Sequence, residues 1–307
     1  MAILIVAPNR DTQAVENHLL DLDPELDIRI WPEMGNVHDI EFAVLWQHPP
    51  GLLKTLPALK AISSYGAGVE SILADPELPE GIPIGRISGQ RLAADMAEFV
   101  TAVVINQHRG LWGFAEDQKQ QRWNQWAPIA TPVIGLLGAG NMSAACVNVF
   151  RALQYEVHCW SRSGQGELDC HYHADQQGLA EICQVADFLI CLLPLTEQTT
   201  GILNRQLFQQ MKTGAYLINV GRGDHLVEED LIPALDKRQL SGAYLDVFQQ
   251  EPLPAGHPFW QHPKIHISPH CASFTLPLEA ATLILKSYRQ VQQDQGPLDP
   301  IDPIAGY

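Results

Sequence analysis

Val133-Ile134-Gly135-Leu136-Leu137-Gly138-Ala139-Gly140-Asn141-Met142-Ser143 is the stretch that decides the fold. An apolar run of strand length enters a glycine turn, and the residues that follow, Ala144 to Leu153, have helical spacing. In such a unit Gly138 permits the tight turn and Gly140 lets backbone approach an anion. The N–H groups that open the helix, at Asn141 and Met142, point toward that anion. This is the geometry that receives a dinucleotide pyrophosphate. Ser143 stands where a third glycine is usual. It is small, so looser helix–strand packing is expected there, not lost binding.

Downstream, Glu156–Trp160 reads as the second strand and ends in Ser161-Arg162-Ser163. A site for the unphosphorylated dinucleotide usually places an acid here to bond the ribose 2′-hydroxyl. A carboxylate would repel a 2′-phosphate, whereas the Arg162 fork can chelate one. Ser161, Arg162 and Ser163 therefore predict NADP(H), with NADPH preferred over NADH. Strands are also expected at Phe188–Leu193, Ala215–Asn219, Gly242–Val247 and Ile265–Ser268. That makes six strands joined by crossovers, a doubly wound sheet.

Upstream, short apolar runs at Ile3–Ala7, Ile28–Trp31, Phe42–Trp46, Leu59–Ser63 and Ile82–Gly85 alternate with a helix over Thr12–Leu22 and turn-rich segments. This is the pattern of a second open parallel sheet. A long helix is expected from Ala93 to about Trp112, followed by the tryptophan- and proline-containing stretch Trp123–Pro132. The chain closes with an amphipathic helix, Leu276–Gln293, and a proline-rich tail.

Three segments carry reactive side chains at the ends of apolar runs: Asn219-Val220-Gly221-Arg222-Gly223, Asp246-Val247-Phe248-Gln249-Gln250-Glu251-Pro252 and Ser268-Pro269-His270. Ligands of open α/β sheets bind beyond the carboxyl ends of strands. An arginine that grips an oxyanion, a carboxylate and an imidazole are the groups needed to protonate a carbonyl oxygen as a hydride reaches its carbon. A His270–Glu251 pair would orient the imidazole and raise its pKa above the usual value of about 6.5. In the first half, Ser64-Tyr65-Gly66-Ala67-Gly68-Val69-Glu70 forms a glycine loop whose backbone N–H groups could hold a carboxylate, or a plain structural turn.

The chain has 307 residues, enough for about two domains, because single cores stop growing near roughly 250–300 residues. Its net charge of −16 argues against nucleic acid or an anionic membrane as partner. Six cysteines form no CxxC pair, several lie in apolar runs, and no metal site is expected. No apolar run reaches membrane-span length, and the short apolar N-terminus has no basic leader. A cytoplasmic protein is expected.

With these motifs the chain resembles the D-isomer-specific 2-hydroxyacid dehydrogenases. The likeness covers nearly its whole length. It includes Leu45-Trp46 with Pro49-Pro50, Gly66-Ala67-Gly68-Val69, Gly138-Ala139-Gly140, Trp160-Ser161-Arg162, Leu193-Pro194, the Arg222 segment, Leu245-Asp246-Val247-Phe248, Glu251-Pro252-Leu253-Pro254 and the terminal Gly306-Tyr307. The resemblance implies two doubly wound domains. A flavodoxin-like substrate domain would take residues 1–92 and 275–307, and a Rossmann-type cofactor domain residues 93–274.

It also implies catalytic roles for Arg222, Glu251 and His270, and substrate carboxylate bound by Ala67 and Gly68 amides and by Arg222. Cofactor contacts are implied at Leu193, Pro194, Val220 and Gly221, with Asp246 meeting the nicotinamide carboxamide. Trp46 would either line the pocket and favour small substrates or belong to the core. The expected activity is NADPH-dependent reduction of small 2-keto acids, glyoxylate and hydroxypyruvate, by a homodimer joined through the cofactor domain. Alternatives are a larger or phosphorylated 2-hydroxy acid, or a nucleotide-sensing protein like the corepressors built on the same fold. The departures are Ser143, Glu70 in place of a frequent aspartate, and Cys271 beside the histidine, either oxidation-sensitive or packed and inert.

Overall fold

The computed structural model describes residues 2–125, 127–128 and 131–306. Part of the Trp123–Pro132 stretch, and Tyr307 of the terminal pair, lie outside them. The chain divides into two compact units, Met1–Leu92 with Thr275–Tyr307, and Ala93–Phe274.

In the first unit, β1 (Ala2–Val6), β2 (Asp27–Ile30), β3 (Ile40–Leu45), β4 (Ala61–Ser64) and β5 (Ile84–Gly85) form an all-parallel sheet in the order β2-β1-β3-β4-β5. This is the flavodoxin-like doubly wound order. Every residue of β1 and β4 is buried, as strands covered on both faces require. Helix α1 (Gln13–Leu22) lies over the sheet, and the single turn α2 (Glu70–Leu73) follows the glycine loop.

The second unit is built on α3 (Gln90–His108) and α4 (Leu111–Lys119), followed by seven strands. These are β6 (Val133–Leu137), β7 (Glu156–Trp160), β8 (His171–His173), β9 (Phe188–Cys191), β10 (Ala215–Asn219), β11 (Leu240–Leu245) and β12 (Ile265–Ile267). Helices α5 (Asn141–Ala152), α6 (Asp175–Val185), α7 (Arg205–Gln210) and α8 (Glu228–Asp236) connect them. The order β12-β11-β10-β9-β6-β7-β8 reverses between β6 and β9, which makes that crevice the switch point of a Rossmann sheet.

Two expectations change. The sheet has seven strands, not six, because His171–His173 pairs with β7 as an edge strand. The long helix expected to reach Trp112 ends at His108, because Gly110 takes a left-handed conformation (φ 67°) and caps a separate α4. Trp112 on α4 then stacks on His266, with ring centroids 3.9 Å apart, and holds the helix to the sheet.

The last helix, α9 (Pro277–Gln292), returns to the first unit. It buries Ala280, Ile284 and Tyr288 with Val15 and Leu19 of α1 and with Ile3, Phe42 and Val44 of the sheet. His48 and Asp75 form a buried pair here at 3.0 Å, and the Asp75 carboxylate also accepts the Gly51 and Glu77 amides. All six cysteines are free thiols. Burial pushes Cys146 up to about 12, so it is an inert neutral thiol at ordinary pH.

Candidate active site

Register brings the reactive loops together. Asn219, Leu245 and Ile267 are aligned across β10, β11 and β12, so the segments that follow leave the sheet side by side. The first bears Arg222, the second Asp246 and Glu251, the third His270.

His270 Nδ1–H donates to Glu251 Oε2 at 2.7 Å, and the other carboxylate oxygen accepts the Phe248 N–H at 3.0 Å. Both oxygens of Glu251 are thereby oriented. Burial is the largest effect on this carboxyl and pushes its pKa up. It is outweighed by the hydrogen bonds from His270 and Phe248 and by the positive charges of His270 and Arg222, so Glu251 ends below the ordinary carboxylate range. It is an anion at neutral pH. With Nδ1 so engaged, Nε2 is the nitrogen that remains to hand on a proton. His270 has positive φ (50°), and its N–H donates to Asp246 O at 2.8 Å.

Asp246 is 1% exposed. Its carboxylate accepts the Ser268 hydroxyl (2.5 Å) and the N–H groups of Cys271 and Ala272 (2.9 Å each), so it fastens the His270 loop. Burial, followed by the Asp246 charge, raises the Cys271 pKa, which favours the packed, inert reading of that thiol.

The Arg222 turn is held by residues the sequence reading did not single out. Asn219 Oδ1 accepts the Gly221 N–H (3.2 Å), and Asn219 Nδ2 donates to Arg222 O (3.0 Å). Fully buried His225 accepts the Arg222 N–H at Nδ1 (3.0 Å), and its Nε2 faces Pro194 O (3.3 Å). One imidazole thus joins the turn after β10 to the turn after β9. A chain with 12 histidines gives no periodic signal for it; only the capping position three residues past Arg222 does.

At the switch point, Gly138 has φ 114°, and a Cβ there would lie 3.1 Å from Leu192 O. A Cβ on Gly140 would meet nothing within 4 Å, so this backbone faces open space. Gly140 caps α5, and the first helical N–H groups, at Asn141 and Met142, have no carbonyl one turn back to bond. Ser143 is 1% exposed and packs close behind Gly138. A diphosphate fits this turn. Ser161-Arg162-Ser163 leaves the end of β7 beside it, with Arg162 and Ser163 exposed. Leu193 and Val220 are buried, so their backbone is what they offer a ligand, and Gly221 is packed against His225.

In the first unit, Ala67 and Gly68 are partly exposed on the loop after β4. The Ser64 hydroxyl fastens that loop by donating to Gly68 O and accepting the Gly66 N–H. The Trp46 ring lies 3.1 Å from where a Gly66 Cβ would be, while also packing on the core. Arg10, unremarked in the sequence, places its guanidinium carbon 3.8 Å from the centroid of Trp46. The only sequence clue was a lone arginine just past the end of β1.

Residues 101–272 match the family model described as "D-isomer specific 2-hydroxyacid dehydrogenase, NAD binding domain". The chain belongs to this family. Among its relatives, the glyoxylate/hydroxypyruvate reductase A of Yersinia enterocolitica is 35% identical over 291 residues, 92% of this chain and 93% of that one. Its counterpart in Serratia proteamaculans is 37% identical with the same coverage.

Among solved structures, a D-isomer-specific 2-hydroxyacid dehydrogenase from Xanthobacter autotrophicus in complex with NADPH superposes with a TM-score of 0.94. It is 30% identical, with 100% of this chain and 99% of that one covered. An NADPH-dependent glyoxylate/hydroxypyruvate reductase from Sinorhizobium meliloti, in complex with NADP and sulfate, gives 0.92 at 29% identity with both chains fully covered. The chain is thus an oxidoreductase of the 2-hydroxyacid dehydrogenase family, with an NAD(P)-binding domain of the Rossmann type. Among the described residues no helix is long and apolar enough to cross a membrane.

Proposed function

We propose that this protein is an NADPH-dependent reductase of small 2-keto acids, converting glyoxylate to glycolate and hydroxypyruvate to D-glycerate. The observation that carries the proposal is the 2.7 Å His270–Glu251 pair, formed between the two loops that leave the sheet beside the Arg222 turn. The names of the relatives support the substrate class, and the NADP(H)-bound neighbours support the cofactor.

Gly138, Gly140 and the first turn of α5, at Asn141 and Met142, would hold the diphosphate. Ser161, Arg162 and Ser163 would hold the 2′-phosphate. The backbone at Leu193, Pro194, Val220 and Gly221, and Asp246, would lie along the nicotinamide half. When bound, the cofactor supplies the hydride. Arg222 grips the substrate's carboxylate and carbonyl oxygen and stabilises charge as it builds on that oxygen. His270 delivers a proton from Nε2 to the same oxygen, and ionised Glu251 keeps the imidazole aimed and stabilises its cationic form. Ala67 and Gly68 amides would bind the acid's carboxylate. Trp46, with Arg10 over its face, would set the size of acid accepted.

We further propose that two copies pair through the second unit, where α3 and α5 border an open, largely apolar groove of about 610 Å³.

The test is the initial rate of NADPH or NADH oxidation with glyoxylate, hydroxypyruvate and pyruvate, in the parent and in Arg162→Ala. Expected are fast NADPH turnover with the first two acids and, in the variant, a selective loss of NADPH affinity. NADH preference in the parent, or equal loss for both cofactors, removes the Arg162 reading. No turnover of any acid despite cofactor binding points to a larger substrate or a nucleotide sensor.

A further inference from the structure

The edge strand missed in the sequence brings three histidines and two glutamates together, away from the reactive loops. Glu156 and His158 share one face of β7, since residues two apart on a strand point the same way. His171 of β8 is in register with His158, and His173 lies two residues further on the same face. Among the described residues, donor atoms of Glu156, His158 and His171 all lie within 4.8 Å of one another.

His158 sits at the centre. Its Nε2 is 2.8 Å from Glu156 Oε1, its Nδ1 is 2.8 Å from His173 Nε2, and His173 Nδ1 is 3.3 Å from Glu181 Oε2 on α6. From Glu156 to Glu181 there are three contacts, but two neutral imidazoles carry only two ring protons. One contact is therefore a proton short. If His173 donates to Glu181 and His158 donates to His173, a bare Nε2 lone pair faces a carboxylate oxygen at 2.8 Å. Two acceptors at that distance repel unless a cation lies between them.

A third proton is one such cation. A metal ion is the other, and the surroundings suit it. A metal-bound imidazole characteristically donates its second N–H to an acceptor that is itself anchored, as His158 can to His173 and Glu181.

We propose that Glu156, His158 and His171 bind a divalent transition-metal cation of the zinc class, with solvent completing the coordination. Two imidazoles and a carboxylate suit such an ion and would be a poor cage for magnesium or calcium. Zinc bonds of about 2.0–2.2 Å set tetrahedral donors roughly 3.4 Å apart, so the Glu156–His158 contact must open from 2.8 Å while His171, 4.0 Å from Glu156, draws in. His171 is 68% exposed and Glu156 49%, so these two side chains can make the movement while buried His158 stays in place. The ion would fasten the edge strand β8 to β7. Glu156 opens β7, whereas the Ser161-Arg162-Ser163 loop leaves its other end, so the ion and the dinucleotide would occupy opposite ends of the strand.

The test is calorimetric titration of metal-free, tag-free protein with Zn²⁺, alongside thermal unfolding with and without the ion. Expected are one Zn²⁺ per chain and a raised unfolding midpoint. His171→Ala, an exposed position, should bind at least about tenfold more weakly and lose the rise, while reductase turnover stays at the parent level. His173→Asn should weaken binding by roughly tenfold through the lost outer hydrogen bond. Cys170→Ser, which removes the thiol next to His171 in the sequence, should leave Zn²⁺ binding unchanged. Absence of binding in the parent, binding in His171→Ala as tight as in the parent, or binding abolished by Cys170→Ser would each overturn the site.

Discussion

His270 Nδ1 is committed to Glu251, so a substitution there removes one proton donor without touching the dinucleotide turn. His270→Asn is expected to lower kcat by about 10²–10⁴, the usual worth of a positioned general acid, while NADPH affinity measured by fluorescence stays at the parent value. An unchanged kcat, or lost NADPH affinity, would remove the proposed role. Glu251→Gln should be impaired too, and its pH dependence carries a sign. The Glu251 pKa is depressed in the folded state, so its contribution to stability is present above the unfolded value of about 4.3 and is lost as pH falls through the lower folded value. The gap in unfolding midpoint between parent and variant should therefore shrink as pH falls below about 4.3. At this scale Arg222, Glu251 and His270 were legible because each ends an apolar run. His225 and Arg10 were not, because their importance comes from partners distant in sequence, and no spacing announces such partners.

Among elements, the turn after β10 shows a glycine required for space. A Cβ on Gly223 would lie 1.9 Å from the carbonyl carbon of Phe248 and 2.0 Å from its oxygen, inside the backbone of the loop that carries Glu251. Gly223→Ala must push the two loops apart and displace Arg222 from Glu251. A displacement near 1 Å can cost about a hundredfold in rate, so kcat/KM should fall by roughly that factor, with a lower unfolding midpoint by circular dichroism. Parent-like rates would show that the packing of these loops does not set the site. Strands such as β6 and β10, apolar except for the terminal Asn219, were readable to the residue because buried parallel strands are near-continuous apolar runs. Strand β8 was not: three residues reading His-Tyr-His are too short and too polar for a period-two signal. The α3–α4 break was hidden for the opposite reason, since apolar spacing continues past Gly110 into Leu111 and Trp112 while the backbone turns.

For the whole molecule, a net charge of −16 bears on how copies meet and how ligands arrive. An anionic cofactor and substrate must find local positive charge, which on the proposed reading would come from Arg162, Arg222 and the N–H groups that open α5. Two such chains can associate only where the joined surface carries little charge, because the general field repels. The α3–α5 groove meets that condition. Ala94, Ala102, Ile105, Ala145 and Val149 line it, with Glu98 as its acidic member. Small side chains on both helices would also let backbones approach closely. Ala102 is exposed on this face, so replacing it disturbs no core packing. Light scattering of the parent should give twice the chain mass. Ala102→Arg should give the single-chain mass with far-ultraviolet circular dichroism unchanged, because a bulky cation would then have to be buried on both sides of the contact without a partner. A parent that scatters as one chain, or a variant that stays dimeric, would move the contact off this face or dispense with it.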